Sequence, residues 1–375
     1  MLSVGSLTGV FGYGRPAVTT TSAASSGPSI LTFARTLAAS YPSGTVAPTA
    51  GGALTINEEN VGNFEYAVRP GETVSSSWNE ANYFSSTEDT VSSWIIFNGN
   101  VTIDATFTSG APMRPSKRKL FTVVYVTGNL TMNGVMSMSA RGANHSGTGN
   151  SGGYTAPVNI RLATGSFTQQ LPFAATITNP QVPANGGAGA ATRSTTGATS
   201  GVAGVSGGTG GGGGGYWFSS GGTVAAGGAG TCFSGGAGSG AVYNTGGESS
   251  QAGGANGGAG GAGAFPNAQI TSGGAGNPGG TGYYFDAVNA SATGGNGTGG
   301  VLIVIVEGTL ASSAEGSTRF TSTGVDGGNF AGVTGGGSGG GSVNIFYKTL
   351  GTTPAVIVSA GGNGGAGSGR RFLLP

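Results

Sequence analysis

The chain has 375 residues, 82 of them glycine, yet only 7% are charged and the net charge is +1. Ordinary soluble domains carry about 25% charged residues, so this surface has to be built from Ser, Thr, Asn and bare backbone, without the basic footprint that nucleic-acid binding requires. Fifteen prolines and no strict Gly-X-Y period exclude a collagen triple helix, and no apolar run approaches the roughly 18 residues that span a membrane.

Residues 1–50 are rich in Ser, Thr, Ala, Gly and Pro. The first fifteen lack a basic region followed by a continuous apolar one, so they are not expected to act as a Sec signal. One segment, Ile30–Leu37, is apolar enough for a strand or a short helix. The region reads as an extended arm that gains order by docking onto another protein, or as a disordered leader.

Residues 51–144 read as a β-rich domain, with strand-like segments at 62–68, 73–78 and 94–97. Eight of the thirteen acidic residues fall here: Glu58, Glu59, Glu65, Glu72, Glu80, Glu88, Asp89 and Asp104. Their spacing matches no calcium loop, and a solvated face is expected. The basic cluster Arg114, Lys117, Arg118 and Lys119 reads as a solvated turn between strands.

An internal repeat starts inside this domain and returns near the end of the chain. Its four copies are Trp94–Phe107, Phe121–Met138, Val301–Leu310 continuing through Thr318–Gly324, and Ser342–Leu350 continuing through Ala355–Gly361. Each has an apolar strand, a tight corner, a Thr/Leu step and a second strand. The corners are Asn98-Gly99-Asn100, Thr127-Gly128-Asn129, Glu307-Gly308-Thr309 and Tyr347-Lys348-Thr349, where Asn and Gly offer the positive-φ positions of a sharp turn. Strands apolar on both faces are expected to be buried on both, and stacked units of this kind make a β-solenoid. Helix signals are nearly absent. The expected fold is all-β: solenoid-like strand repeats with a large glycine-rich insertion and essentially no α-helix. Residues 301–375 form its C-terminal strand repeats and glycine-rich end.

The insertion, residues 145–300, contains runs such as 207–215 and 257–264, and a shorter echo follows at 335–369. The tract is either a flexible spacer or a folded slab. A flexible linker has few aromatics, whereas this one carries Tyr216, Trp217, Phe218, Phe233, Tyr243, Phe265, Tyr283, Tyr284 and Phe285. That favours the slab, expected to be packed three-residue-per-turn polyglycine II helices whose amides bond between neighbouring helices. Because its ends would emerge together, the loop-closure cost stays modest.

The residues offer little catalytic chemistry. His145 stands alone in a Gly/Ser/Asn loop without partners for metal binding or base catalysis, and Cys232 cannot form an intrachain disulfide. No Gly-Lys-Ser/Thr follows the glycine runs to make a phosphate loop. The carboxylates Asp104, Glu307, Glu315 and Asp326 stand on different repeats or corners, and nothing in their spacing requires a catalytic pair. The expectation is a non-enzyme with no cofactor and no metal. Aromatics on uncluttered backbone, set among Asn, Ser and Thr, instead suit recognition. Tyr216, Trp217, Phe218, Tyr283, Tyr284 and Phe285 are the candidate receptor-binding residues.

The glycine runs at 207–215 and 257–264, broken by aromatic clusters and followed by Val/Ile strands, resemble glycine-rich bacteriophage tail-fibre and adhesin proteins over roughly residues 120–369. The adhesins stack polyglycine II helices into a sandwich whose variable loops bind the host receptor. The resemblance implies a virion protein of the tail or fibre, docked to other virion proteins through its N-terminal region and recognising a host surface protein or glycan. A homotrimer is compatible with it. The alternatives are a capsid decoration or head fibre, a polysaccharide depolymerase tailspike, and a bacterial surface adhesin.

Overall fold

The computed structural model describes residues 28–40, 46–56, 59–78, 91–119, 121–142, 299–324, 340–359 and 367–374, together with short strand pieces between 160 and 271 and between 329 and 334. Among these residues the chain is mostly β, with one helix.

That helix, α1 (Ile30–Ser40), corrects the expectation of essentially no α-helix. Its apolar residues Ile30, Leu31, Ala34, Leu37 and Ala38 recur at helical spacing and all are buried. Ser29 caps it by accepting the Thr32 amide on its hydroxyl at 3.2 Å. Phe33 packs edge-on against Phe64 and Trp94, at centroid distances of 5.3 and 4.9 Å. Residues 30–40 therefore bury their apolar face on this chain's own sheet rather than lying extended.

Two strands follow, β1 (Val46–Ile56) and β2 (Glu59–Pro70), paired antiparallel with an irregular register. From β2 onward a strand–corner–strand unit recurs. β2 bends into β3 (Thr73–Val74), β4 (Val91–Asn98) into β5 (Val101–Ile103), and β6 (Thr122–Val126) into β7 (Leu130–Met132) and β8 (Met136–Ser137). Short pieces come next. Antiparallel pairs join β9 (Ile160–Arg161) with β12 (Gln181–Val182), β10 (Ser166–Gln169) with β11 (Ala175–Thr178), and β15 (Gly263–Ala264) with β16 (Ile270–Thr271). β13 (Arg193–Ser194) pairs parallel with β14 (Gly215–Tyr216). The units then resume: β17 (Val301–Ser312) leads into β18 (Thr318–Thr321). A small antiparallel ladder, β19 (Asn329–Phe330) with β20 (Val333–Thr334), precedes β21 (Ser342–Leu350), β22 (Ala355–Ile357) and β23 (Ser368–Leu373).

The first strands of the units lie side by side and parallel, in the order β2-β4-β6-β17-β21-β23. One row in register runs Ala67, Ile95, Val124, Val304, Ile345. β10 joins the far edge through Gln169 opposite Phe372. Past the corner, β3, β5, β7 and the second half of β17 form a parallel continuation, and β8, β18 and β22 form a further parallel layer. The result is a curled, half-barrel sheet. The four repeats read from the sequence are neighbours in it, and one further unit, β2–β3, and the single strand β23 extend the series.

The curl explains why the strands are apolar on both faces. Ile95, Phe97, Val124, Val126, Leu302, Val304, Val306, Ile345 and Tyr347 point into the hollow of the curl, where Met113, Met132, Met136, Met138 and Phe320 meet them. Trp94, Ile96, Val123, Tyr125, Ile303 and Ile305 face the other way, into a second core shared with α1. Methionines fill the irregular hollow because they are unbranched and adaptable.

The corners need glycine for two separate reasons. Gly99 has φ +136°, as the turn reading anticipated. Gly128 does not have a positive φ; an added Cβ there would lie 2.7 Å from the backbone of Gly99. Close approach of stacked corners, rather than handedness, excludes a side chain at that position. Asparagines stitch the stack together. The Asn129 amide donates to the Asn100 side-chain oxygen at 2.9 Å, and the Thr309 amide donates to that of Asn129 at 2.8 Å. At the fourth corner the alignment slips: Tyr347 stands opposite Val306, and a register shift in β17 makes Thr349 opposite Thr309, so β17 bulges there.

Candidate functional site

Two places in the described structure bear on function: the point where the glycine-rich tract leaves the sheet, and a cleft between α1 and the corners.

The tract leaves and returns at one spot. The Gly300 amide donates to the Met138 carbonyl at 2.9 Å, and the Lys119 amide donates to the Arg141 carbonyl at 3.0 Å. The Arg141 guanidinium fixes this exit by donating to the Pro115 carbonyl at 2.8 Å and the Ala140 carbonyl at 3.1 Å. Ala140 itself sits at φ +54°, a left-handed conformation unusual for a residue with a Cβ. Of the six candidate receptor-binding residues, Tyr216 belongs to β14. Trp217, Phe218, Tyr283, Tyr284 and Phe285 lie outside the described residues, as do His145, Cys232 and Asp326.

The cleft has about 550 Å³ of space. One side is a row of corner residues, Asn98, Thr127 and Glu307, which follow equivalent positions of β4, β6 and β17; the other is α1, and the face between them is open to solvent. Arg35 on α1 reaches down to Glu307, with its Nε 2.7 Å from Oε1. The Tyr125 hydroxyl donates to the same oxygen at 3.1 Å. Burial, reinforced by the Glu307 carboxylate, pushes the Tyr125 phenol up to about 12. The hydrogen bond to Glu307 raises the Arg35 guanidinium further above its ordinary value. The Asn98 amide caps α1 by donating to the Ala38 carbonyl at 3.2 Å, and the Thr127 hydroxyl accepts the Gly99 amide at 2.9 Å. Glu307 is one of the carboxylates whose spacing the sequence reading found to require no catalytic pair. Asn98 and Thr127 could have been found with it, since aligning the repeats puts all three at one corner position. Arg35 could not, because its contact depends on how α1 docks.

Asp104, Glu315 and Glu72 make contacts within the fold. Asp104 accepts the Thr106 amide at 2.8 Å, and that backbone bond holds its carboxyl below the usual range. Glu315 accepts the Thr353 amide at 2.7 Å. Glu72 pairs with Arg69 through two contacts, the longer 2.9 Å, and the Arg69 guanidinium stacks over Trp78 at 4.9 Å.

Two charges depart from the expected solvated surface. Lys119 and Glu65 form an ion pair of 2.6 Å with side-chain exposures of 0% and 3%, and the Ser93 hydroxyl donates to the same Glu65 oxygen at 2.7 Å. The basic turn and the acidic face each bury one member because the strand interior admits a charge only with its counter-ion. Among the described residues no group of three or more His, Cys, Asp or Glu could hold a metal ion, and no helix is long and apolar enough to cross a membrane.

No protein-family model, curated protein or solved structure matches this chain.

Proposed function

We propose that this chain is a structural protein of a bacteriophage tail or fibre, and that its glycine-rich tract recognises a host surface protein or glycan. In this reading the strand–corner–strand units are the rungs of a β-solenoid, and residues 145–300 form an insertion of packed polyglycine II helices. Tyr216, Trp217, Phe218, Tyr283, Tyr284 and Phe285 face the host, and the region before α1 docks to other virion proteins.

The observation that carries the reading is the shared exit. Chain that leaves beside Arg141 and returns beside Gly300 is held at both ends by adjacent strands. A recognition module suits such a mount, since loops positioned by a rigid scaffold can vary without disturbing it. Aromatic residues supply contact area at low entropic cost, and a surface poor in charge limits non-specific attraction.

Binding of fluorescently labelled full-length protein to a panel of bacterial strains tests this. Saturable, strain-restricted binding that Trp217→Ala and Tyr284→Ala abolish, with an unchanged melting transition, is the expected result. Absence of saturable binding to any strain would favour a capsid decoration. Steady release of reducing ends from surface polysaccharide would favour a depolymerase.

A further inference from the structure

We propose that the cleft between α1 and the corner row binds a neutral, hydroxyl-rich ligand, one or two sugar units in size. The proposal rests on described residues alone and does not depend on what the glycine-rich tract recognises.

Size is the first argument. About 550 Å³ falls within the roughly 300–1,000 Å³ of small-molecule sites, and because the site lies wide open to solvent it would cradle one face of a ligand that continues beyond it.

Charge selects the ligand class. Arg35 and Glu307 neutralise each other across 2.7 Å, so an anion drawn to the guanidinium would meet the carboxylate, and a cation would meet the reverse. A neutral ligand carrying both donors and acceptors is the one both partners favour. Each retains capacity for it. The contacts to Glu307 fall on Oε1, which leaves Oε2 as an acceptor, and Arg35 uses Nε and Nη2, which leaves the donors of Nη1.

The corner row then supplies polar groups. Thr127 and Glu307 stand on adjacent parallel strands, about 4.8 Å apart along the ladder, and offer a hydroxyl proton and a carboxylate oxygen side by side, while Asn98 beside them holds the Ala38 carbonyl. Ala38 and Ala39 on α1 contribute small apolar surface against which the C–H face of a sugar ring can lie. The Tyr125 and Arg35 contacts already hold the carboxylate in place, so little side-chain entropy remains to be lost on binding.

Saturation-transfer NMR on the full chain tests the proposal, with glucose, galactose, N-acetylglucosamine, maltose and lactose as probes and inorganic phosphate as the charged control. The expected result is saturable binding of at least one sugar, with a Kd on the order of 1 mM. Arg35→Gln and Glu307→Gln should each weaken it about tenfold, the loss of one hydrogen bond. Arg35 is 53% exposed, so its variant tests binding without threatening the fold. Trp217→Ala should leave this binding unchanged. No saturable binding by any sugar overturns the proposal, and so does binding that survives both cleft variants. Loss with Trp217→Ala alone would move the site to the tract, and preference for phosphate would overturn the neutral-ligand assignment.

Discussion

The amide of Gly300 donates to the carbonyl of Met138 at 2.9 Å, so the end of one strand unit and the start of the next touch across the whole glycine-rich tract. β17 then pairs with β6 as its direct neighbour. Replacing residues 143–298 with a short Gly/Ser linker should therefore leave a cooperatively folding core. The variant loses the β10–β11 hairpin and with it one ladder pair on β23. If the tract is flexible, each halving of its length contributes about 0.6 kcal/mol, and the melting temperature should rise. If the tract is folded, the melting temperature should hold steady. Loss of a cooperative transition in differential scanning calorimetry would show that the units depend on the tract.

Stacked corners leave no space for a methyl group at Gly128. An added Cβ would lie 2.7 Å from the Gly99 carbonyl, so Gly128→Ala should cost about 1–3 kcal/mol, the range for overpacking. Gly316 is the contrast. It has φ +69° with open space around it, and Gly316→Asn should be nearly neutral because asparagine tolerates the left-handed region. Urea denaturation of the two variants checks both. A Gly128→Ala variant as stable as the parent would show that the stacked corners can yield to a methyl group.

Lys119 and Glu65 are a buried pair whose partners cannot be removed singly. Lys119→Met leaves a carboxylate in the core with Ser93 and without its counter-ion, and should cost about 3–5 kcal/mol. Adding Glu65→Leu removes the stranded charge, and the double variant should recover most of that loss. A double-mutant cycle by chemical denaturation measures this. A double variant as unstable as Lys119→Met alone would contradict the account.

Tyr125 gives the protein a specific alkaline limit. Its phenol titrates near 12 in the folded chain and about 10 when unfolded, so the folded state holds its proton longer. The stability that depends on it is complete below pH 10 and is lost as pH rises from about 10 to about 12, at about 1.4 kcal/mol per unit. Tyr125→Phe should flatten this arm of the stability profile and weaken the hold of Glu307. An alkaline arm unchanged in the variant would assign the loss to other tyrosines.

Much of the sheet was legible because its signals are local. Runs such as Val301–Val306 and Val123–Val126 are built of apolar and aromatic residues at every position, and they are buried on both faces. Their corners repeat the same residue types at the same offset, and these stack in register. The helix was legible only in part. Ser29 and the spacing of Ile30, Ala34 and Leu37 carry its signal, but eleven residues amid Ser/Thr-rich chain are too few to stand out by periodicity. The slip at Lys348 could not be read at all, because a bulge in β17 is set by its pairing with β21.

By itself the sequence determined strands, corners and their repetition, since each depends on residues close together in the chain. Tertiary structure alone decided which polar groups would meet: the side chains of Arg35 and Glu307 and of Lys119 and Glu65, and the backbones of Met138 and Gly300. The partners in each pair are distant in sequence, and a side chain carries no mark of a partner that only the curl of the sheet brings within reach.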